Sequence, residues 1–152
     1  MNTQTSIPDT PHTTDPDVYI DRAIADQLEN LAYANMARNP LAANRLLEEI
    51  DRAVIVNSTE LSSDIVTIGS EVTFRDNATG NMQTVILTMP TDADITTHRI
   101  SIMTPIGAAL IGIRKGETIW WQTMDNEVRE LTIHDVVSNN HDRGVPNGAV
   151  PR

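Results

Sequence analysis

Cysteine is absent from this chain of 152 residues, which excludes disulfide bridges and zinc sites built from thiolates. Aromatic residues make up only 3% of the sequence, so the core must be mainly aliphatic. No stretch comes near the roughly 18 consecutive apolar residues of a membrane-spanning helix. The N-terminus also lacks the basic start and apolar segment of a secretory signal. These absences favour a cytoplasmic protein with no membrane segment.

Positive charge is scarce as well. Lysine occurs once, at Lys115, and the arginines are spread along the chain, so the net charge is −10. Binding to nucleic acid relies on a clustered basic surface, which this composition does not supply. The charge therefore favours a protein partner with a positive face over direct binding to DNA or RNA.

The N-terminal part predicts a pair of helices between polar segments. Residues 1–14 are rich in Thr, Pro and Asp and are predicted to be a disordered tail. Asp15-Pro16 and Asn39-Pro40 each place a capping residue before a proline, which predicts two helix starts. Apolar residues then recur at steps of three and four, as in a helix with one buried stripe. The stripes comprise Ile20, Ala23, Ile24, Leu28, Leu31 and Ala32 in the first helix and Ala43, Leu47, Ile50 and Val54 in the second.

Two helices joined by so short a connection are predicted to form an antiparallel hairpin over residues 15–56. With about 16–22 residues in each helix, the hairpin would be roughly 24–33 Å long. Neither stripe can be buried alone, so the stripes are expected to pack against each other and to leave little apolar surface for the rest of the chain.

The C-terminal part changes to the alternating pattern of β-strands. A polar linker is predicted at 57–64, a domain at 65–137 and a second loose tail at 138–152. Val72 and Phe74 alternate with polar residues and are expected to face the core. Five strands are predicted around 71–75, 82–89, 100–102, 118–123 and 127–137. The predicted fold is α+β, with a helical hairpin followed by an antiparallel sheet curled over one short helix.

The short helix is predicted within the segment "ISIMTPIGAALIG" at 100–112. Strand alternation places Ile100 and Ile102 towards the core and Ser101 and Met103 on the opposite face. Thr104 suits the N-cap of the helix, and Pro105 suits its first position, where a missing N–H costs nothing. Most of the segment is therefore core, and its exposed edge is a candidate interaction surface formed by Ser101, Met103 and Pro105, with Arg114 and Lys115 in the neighbouring turn.

The adjacent pair Trp120 and Trp121 must point to opposite sides of a strand. Trp121 shares its face with Ile119 and is predicted to pack in the core, which leaves Trp120 outward beside Gln122. Outward tryptophans are enriched at protein interfaces. The alternative reading is that the linker or the helical hairpin simply covers Trp120.

Four spaced segments form one pattern: "IGSEVTFRD" at 68–76, "ISIMTPIGAALIG" at 100–112, "KGETIWW" at 115–121 and "VRELTIHDV" at 128–136. This pattern resembles the bacterial GreA/GreB transcript-cleavage factors, and more closely the related group of nucleoside diphosphate kinase regulators (Rnk). The predicted helical hairpin falls where this family has its coiled coil. The resemblance thus extends over about residues 17–137.

The resemblance implies an FKBP-like C-terminal domain that docks on RNA polymerase beside its secondary channel, and a short coiled coil before it. The family's docking segment S-x-x-[ST]-P matches Ser101, Thr104 and Pro105. Met103 stands where Gre proteins often carry an acidic residue, and Trp120 is a further candidate for the docking surface.

The tip of the hairpin departs from the cleavage factors. Gre proteins hold acidic residues there that help to bind a catalytic metal. The tip of this chain reads "NMARNP" and has no carboxylate among Asn35, Met36, Arg38 and Asn39. Hard divalent metals prefer clustered carboxylate oxygens, and Glu29 and Glu48 would lie roughly 10 Å or more below the tip. No metal site and no stimulation of transcript cleavage are expected.

Other chemistry is not indicated. The histidines His12, His98, His134 and His141 are scattered, and no phosphate-binding loop or nucleophile motif occurs, so neither a cofactor nor an enzymatic activity is predicted. The expected function is that of a transcription regulator that binds RNA polymerase and affects nucleoside diphosphate kinase indirectly, through gene expression. Two alternatives are an FKBP-like prolyl isomerase and an interaction module that self-associates through the hairpin or Trp120.

Overall fold

The computed structural model describes residues 16–138. The predicted tails at 1–14 and 138–152 lie outside these residues, apart from Ser138 itself. Three α-helices and seven β-strands are present in the described part, and the strands form a pair and a five-stranded sheet. The predicted mixed α+β fold is confirmed.

Two helices of equal length open the fold. Helix α1 spans Arg22–Ala34 and helix α2 spans Pro40–Arg52, with 13 residues each. At helical rise each is about 20 Å long, shorter than predicted. Helix α2 begins at Pro40, as its sequence predicts. The predicted start of α1 at Asp15-Pro16 is wrong, because Asp21 is the N-cap and accepts a hydrogen bond from the backbone N–H of Ala23 at 2.9 Å.

A small pair of parallel strands takes the place of predicted helix before α1 and after α2. Strand β1, Tyr19–Asp21, precedes α1, and strand β2, Val54–Val56, follows α2. Tyr19 pairs with Val54 in parallel register. Val54 therefore lies in a strand rather than in the second helix, and its side chain is 49% exposed. Its predicted place on the buried stripe of that helix is wrong. The segment after β2 contains a short 3₁₀ turn, Ser58–Glu60, within the predicted linker.

The larger sheet has the strand order β5-β4-β3-β7-β6. Its strands are β3 (Ser70–Asp76), β4 (Met82–Thr88), β5 (Arg99–Ser101), β6 (Thr118–Gln122) and β7 (Val128–Ser138). Val72 and Phe74 are buried, as their alternation predicts.

The prediction of a fully antiparallel sheet is wrong at one edge, where β5 pairs with β4 in parallel. Two 3₁₀ turns, Pro90–Asp92 and Ile95–Thr97, carry the chain back between these strands. His98, at φ +62°, closes the second turn immediately before β5.

Helix α2 packs against both α1 and the short helix α3, Pro105–Leu110. Helix α2 carries the small buried residues Ala42 and Ala43, and helix α3 carries Ala108 and Ala109. Buried residues of the helices and of the sheet form one continuous core. The expectation that the two helical stripes would leave little apolar surface for the rest of the chain is therefore wrong. Between residues 16 and 138 no helix is long and apolar enough to cross a membrane.

Candidate docking site

The turn before α3 is built by two side chains of the predicted docking segment. The Thr104 hydroxyl donates to the backbone oxygen of Ser101 at 2.7 Å and accepts from the N–H of Gly107 at 3.1 Å. The Ser101 hydroxyl accepts from the N–H of Met103 at 2.9 Å. Thr104 is thus the N-cap of α3, and Pro105 is its first residue, as predicted. These bonds hold Pro105 in a fixed position at the half-buried start of the helix.

The backbone comes very close to itself in this turn. A side chain at Gly107 would place its Cβ atom against the backbone oxygen of Ser101. Only glycine fits such an approach, which explains its place between the cap and the buried alanines.

Met103 does not lie on the exposed face where strand alternation placed it. Strand β5 ends at Ser101, and the chain turns immediately afterwards, so alternation no longer applies. Ile102 and Met103 are consequently both buried, at 0% and 5% exposure. Met103 belongs to the core, which corrects its predicted exposure.

The two tryptophans lie as the strand pattern predicts. Trp121 packs against the core beside Ile119. Trp120 lies on the opposite side, and the guanidinium carbon of Arg45 lies 4.1 Å from the centre of its ring. Arg45 Nη1 also donates to the backbone oxygen of Trp120 at 2.9 Å. Because β6 is an edge strand, this bond satisfies a carbonyl on the open side of the sheet. Helix α2 therefore covers one part of Trp120.

Arg45 belongs to a buried ionic group that the sequence pattern did not predict. Arg45 and Glu49 are only 7% and 2% exposed, and Arg45 Nε lies 2.6 Å from Glu49 Oε2. Arg52 lies 2.8 Å from the other oxygen of Glu49 and donates to the backbone oxygen of Pro16 at 2.8 Å. A buried carboxylate requires such partners. Arg45 thus fixes α2 to β6, and Arg52 fixes its end to the chain before β1.

A sequence signal for this group existed. Ala42, Leu46 and Glu49 recur at steps of four and three, so the fully buried side of α2 is rotated from the predicted stripe. Leu47 and Ile50 of that stripe are only half-buried. Arg45 and Glu49 lie on this buried side, and charged residues are normally expected to be exposed. The helical repeat of buried positions is therefore not visible as a repeat of apolar residues.

A cavity of about 150 Å³ lies between α2, the start of α3 and β6. Pro105 and Trp120, two of the predicted docking residues, both line it. Ser101, Met103 and Thr104 do not line it. A larger hollow of about 700 Å³ along β4 and His98 contains none of the predicted site residues. The remaining lining of the smaller cavity consists of Leu41, Asn44, Arg45, Glu48 and Gln122.

The connection between α1 and α2 is partly folded back onto the protein. Asn35 is 8% exposed and donates to the backbone oxygen of Leu31 at 2.9 Å. Met36 packs against the core, whereas Arg38 and Asn39 are exposed. Over the range 16–138, no three or more histidine, cysteine, aspartate or glutamate side chains are grouped so that they could hold a metal ion.

Comparison with known proteins agrees with this architecture. Residues 61–138 match the family model described as "Transcription elongation factor, GreA/GreB, C-term", and residues 16–56 match the "Rnk N-terminus" model. The regulator of nucleoside diphosphate kinase from Escherichia coli K12 is 37% identical over 95 residues, which are 62% of this chain and 67% of the relative.

Transcription elongation factor GreA from Azorhizobium caulinodans is 35% identical over 102 residues, which are 64% of this chain and 65% of the relative. A solved structure, the prokaryotic transcription elongation factor GreA/GreB from Nitrosomonas europaea, superposes with a TM-score of 0.64 at 29% identity. The superposition covers 80% of this chain and 99% of that structure. The two family models together extend over both the helical and the sheet part. The chain therefore belongs to the GreA/GreB family of transcription elongation factors, in the group that shares its N-terminus with the regulator of nucleoside diphosphate kinase.

Proposed function

We propose that this protein regulates transcription by binding RNA polymerase through the surface around Pro105 and Trp120, without stimulating transcript cleavage. The observation that carries the proposal is the meeting of these two residues at one cavity. They come from different elements, and the Thr104 cap and the Arg45 contacts hold each in place. A preformed surface that combines apolar residues with a tryptophan and an arginine is typical of protein interfaces.

The segment that connects α1 and α2 is the reason why we propose that the protein does not stimulate transcript cleavage. Asn35, Met36, Arg38 and Asn39 offer no carboxylate, and Met36 packs against the core. These four residues supply one positive charge, on Arg38, and no carboxylate oxygen to bind a divalent metal. Both named relatives are, by their names, a regulator and a transcription factor, which supports a non-enzymatic role.

In the cytoplasm, docking beside the secondary channel would place the two helices at the site that Gre factors use. The C-terminal part would act as the FKBP-like docking domain and the helices as a short coiled coil. Competition with Gre factors would then alter transcription, and any effect on nucleoside diphosphate kinase would follow indirectly. Among residues 16–138, Trp120 is the one aromatic side chain that lines the cavity, which favours docking over prolyl isomerisation.

Binding to purified bacterial RNA polymerase tests the docking surface. Pro105→Ala removes the apolar ring without adding a charge, and alanine is well suited to a helix. Pro90→Ala is a matched control, because Pro90 also opens a helical turn but lies outside the cavity. We expect Pro105→Ala to weaken binding about tenfold, as loss of a central apolar contact does. Pro90→Ala should bind as the wild type does, and equal binding by all three proteins would exclude this surface.

A further inference from the structure

The rim of the cavity carries a carboxylate with no ionic partner in the described part of the chain. Glu48 is exposed and lines the cavity, but it makes no ion pair within residues 16–138. The nearby guanidinium of Arg45 is already bound to Glu49 at 2.6 Å and to the Trp120 backbone at 2.9 Å. Glu49 balances the charge of Arg45, although Arg45 Nη2 is buried and makes no hydrogen bond within residues 16–138. Glu48 has no such counter-charge in the same range, and its charge is available to a partner.

Part of the lining is apolar. Leu41, Pro105 and Trp120 offer surfaces suited to a hydrocarbon chain. Gln122 adds a polar group to the lining, and its Nε2 already donates to Asn126 Oδ1 at 2.7 Å. The amide oxygen of Gln122 therefore remains an acceptor. A cavity lined by apolar side chains together with a carboxylate and an amide oxygen matches a side chain with an aliphatic stem and a cationic head.

We propose that this cavity receives one lysine or arginine side chain of a protein partner, with the stem against Pro105 and Trp120 and the cation on Glu48. A volume of about 150 Å³ suits one long side chain. The identity of the partner rests on the proposed function, in which it is RNA polymerase. Helix α2 then contributes directly to the docking surface.

Charge supports a cation over an anion at this position. An acidic side chain would meet Glu48 at the rim, and like charges repel. The whole chain carries a net charge of −10, which also attracts a positive partner surface and disfavours nucleic acid.

A titration that does not involve polymerase tests the cavity itself. The probe is N-acetyl-lysine methylamide, and the control is N-acetyl-norleucine methylamide, which has an apolar chain and no amine. We expect the lysine amide to shift the indole N–H resonance of Trp120 saturably, with a dissociation constant of roughly millimolar order for so small a ligand. The norleucine amide should bind about two- to fivefold more weakly.

Variants of two acidic residues on α2 test whether Glu48 is the residue that binds the amine of the lysine amide. Glu48→Gln should reduce lysine-amide binding to the norleucine level, whereas Asp51→Asn should leave it unchanged, because Asp51 is exposed but does not line the cavity. No saturable shift, equal binding of both amides, or no effect of Glu48→Gln would overturn the proposal.

Polymerase binding then tests the partner. Glu48→Lys should weaken binding about tenfold and reduce its dependence on salt, and Asp51→Lys should stay within about twofold of wild type. If wild type and Glu48→Lys bind polymerase equally, the inference fails while the proposed function stands. If wild type does not bind polymerase, the proposed function fails, and the amide titration alone decides whether the cavity takes a cationic side chain.

Discussion

Replacing Arg45 tests whether the buried ionic group fixes helix α2 to the sheet. Arg45→Met keeps most of the volume of the side chain but removes its charge and its hydrogen bonds. Glu49, at 2% exposure, would keep only Arg52 as its ionic partner among residues 16–138. The backbone oxygen of Trp120 would lose its hydrogen bond to Arg45. The Trp120 ring would lose its contact with the guanidinium group, whose carbon lies 4.1 Å from the ring centre.

The size of the effect follows from these losses. Breaking one side of a buried ion pair costs about 3–5 kcal/mol, because the other charge stays buried. The remaining contact between Arg52 and Glu49, at 2.8 Å, reduces that cost. The lost hydrogen bond adds about 1 kcal/mol. We expect Arg45→Met to lower the free energy of unfolding by about 3 kcal/mol.

Removing both charges should reverse most of the loss. In Arg45→Met with Glu49→Leu no carboxylate remains buried between residues 16 and 138, and apolar replacement of a buried pair is often neutral or stabilising. Arg52 has a side chain that is 33% exposed and can turn towards water. The double variant should unfold within about 1 kcal/mol of wild type.

Urea denaturation followed by tryptophan fluorescence measures all four proteins of this cycle. With a denaturant dependence of about 2 kcal/mol per molar urea, the single variant should shift the midpoint by about 1.5 M. A loss below about 1 kcal/mol for Arg45→Met, or a double variant as unstable as the sum of the single ones, would show that the buried ionic group does not fix α2 to the sheet.

Further substitutions test the turns that position the site. Gly107→Ala should destabilise the protein by more than about 2 kcal/mol in thermal unfolding, because its methyl group meets the backbone of Ser101; unchanged stability would contradict the close approach. Thr104→Val should cost about 1 kcal/mol through loss of the N-cap, whereas Thr104→Ser should be nearly neutral in the same assay. Asp21→Ala should cost about 1 kcal/mol, since its carboxylate caps α1 and also accepts from the Ser58 hydroxyl at 2.7 Å; a fall in helical circular dichroism at lower urea would report it.

Much of the sheet could be predicted from sequence, because its strands are long and alternate clearly. Val72 and Phe74 repeat every second residue, and the strand around them is bounded by turn residues on one side. The start of α2 could also be predicted, because the preference of proline for the first helical position depends only on the local backbone. Family membership could also be recognised from four spaced segments, although no single one would have sufficed.

The remaining features depend on contacts between distant residues. Strand β1 exists because Tyr19 pairs with Val54, and three residues carry no alternation that could reveal it. The exposure of Met103 was mispredicted because a strand end cannot be located from its pattern. The cavity could not be predicted either, since it requires α2 to lie across β6, held by a buried arginine that appears polar in sequence.

Binding to RNA polymerase without transcript cleavage can be measured on a backtracked elongation complex. Purified protein is added to the complex with Mg²⁺, alone and together with a Gre cleavage factor, and the rate of RNA shortening is measured. We expect no acceleration by this protein alone and a progressive slowing of Gre-dependent cleavage as its concentration rises. Acceleration by the protein alone, or cleavage by the Gre factor that stays constant at every concentration, would exclude the proposed function.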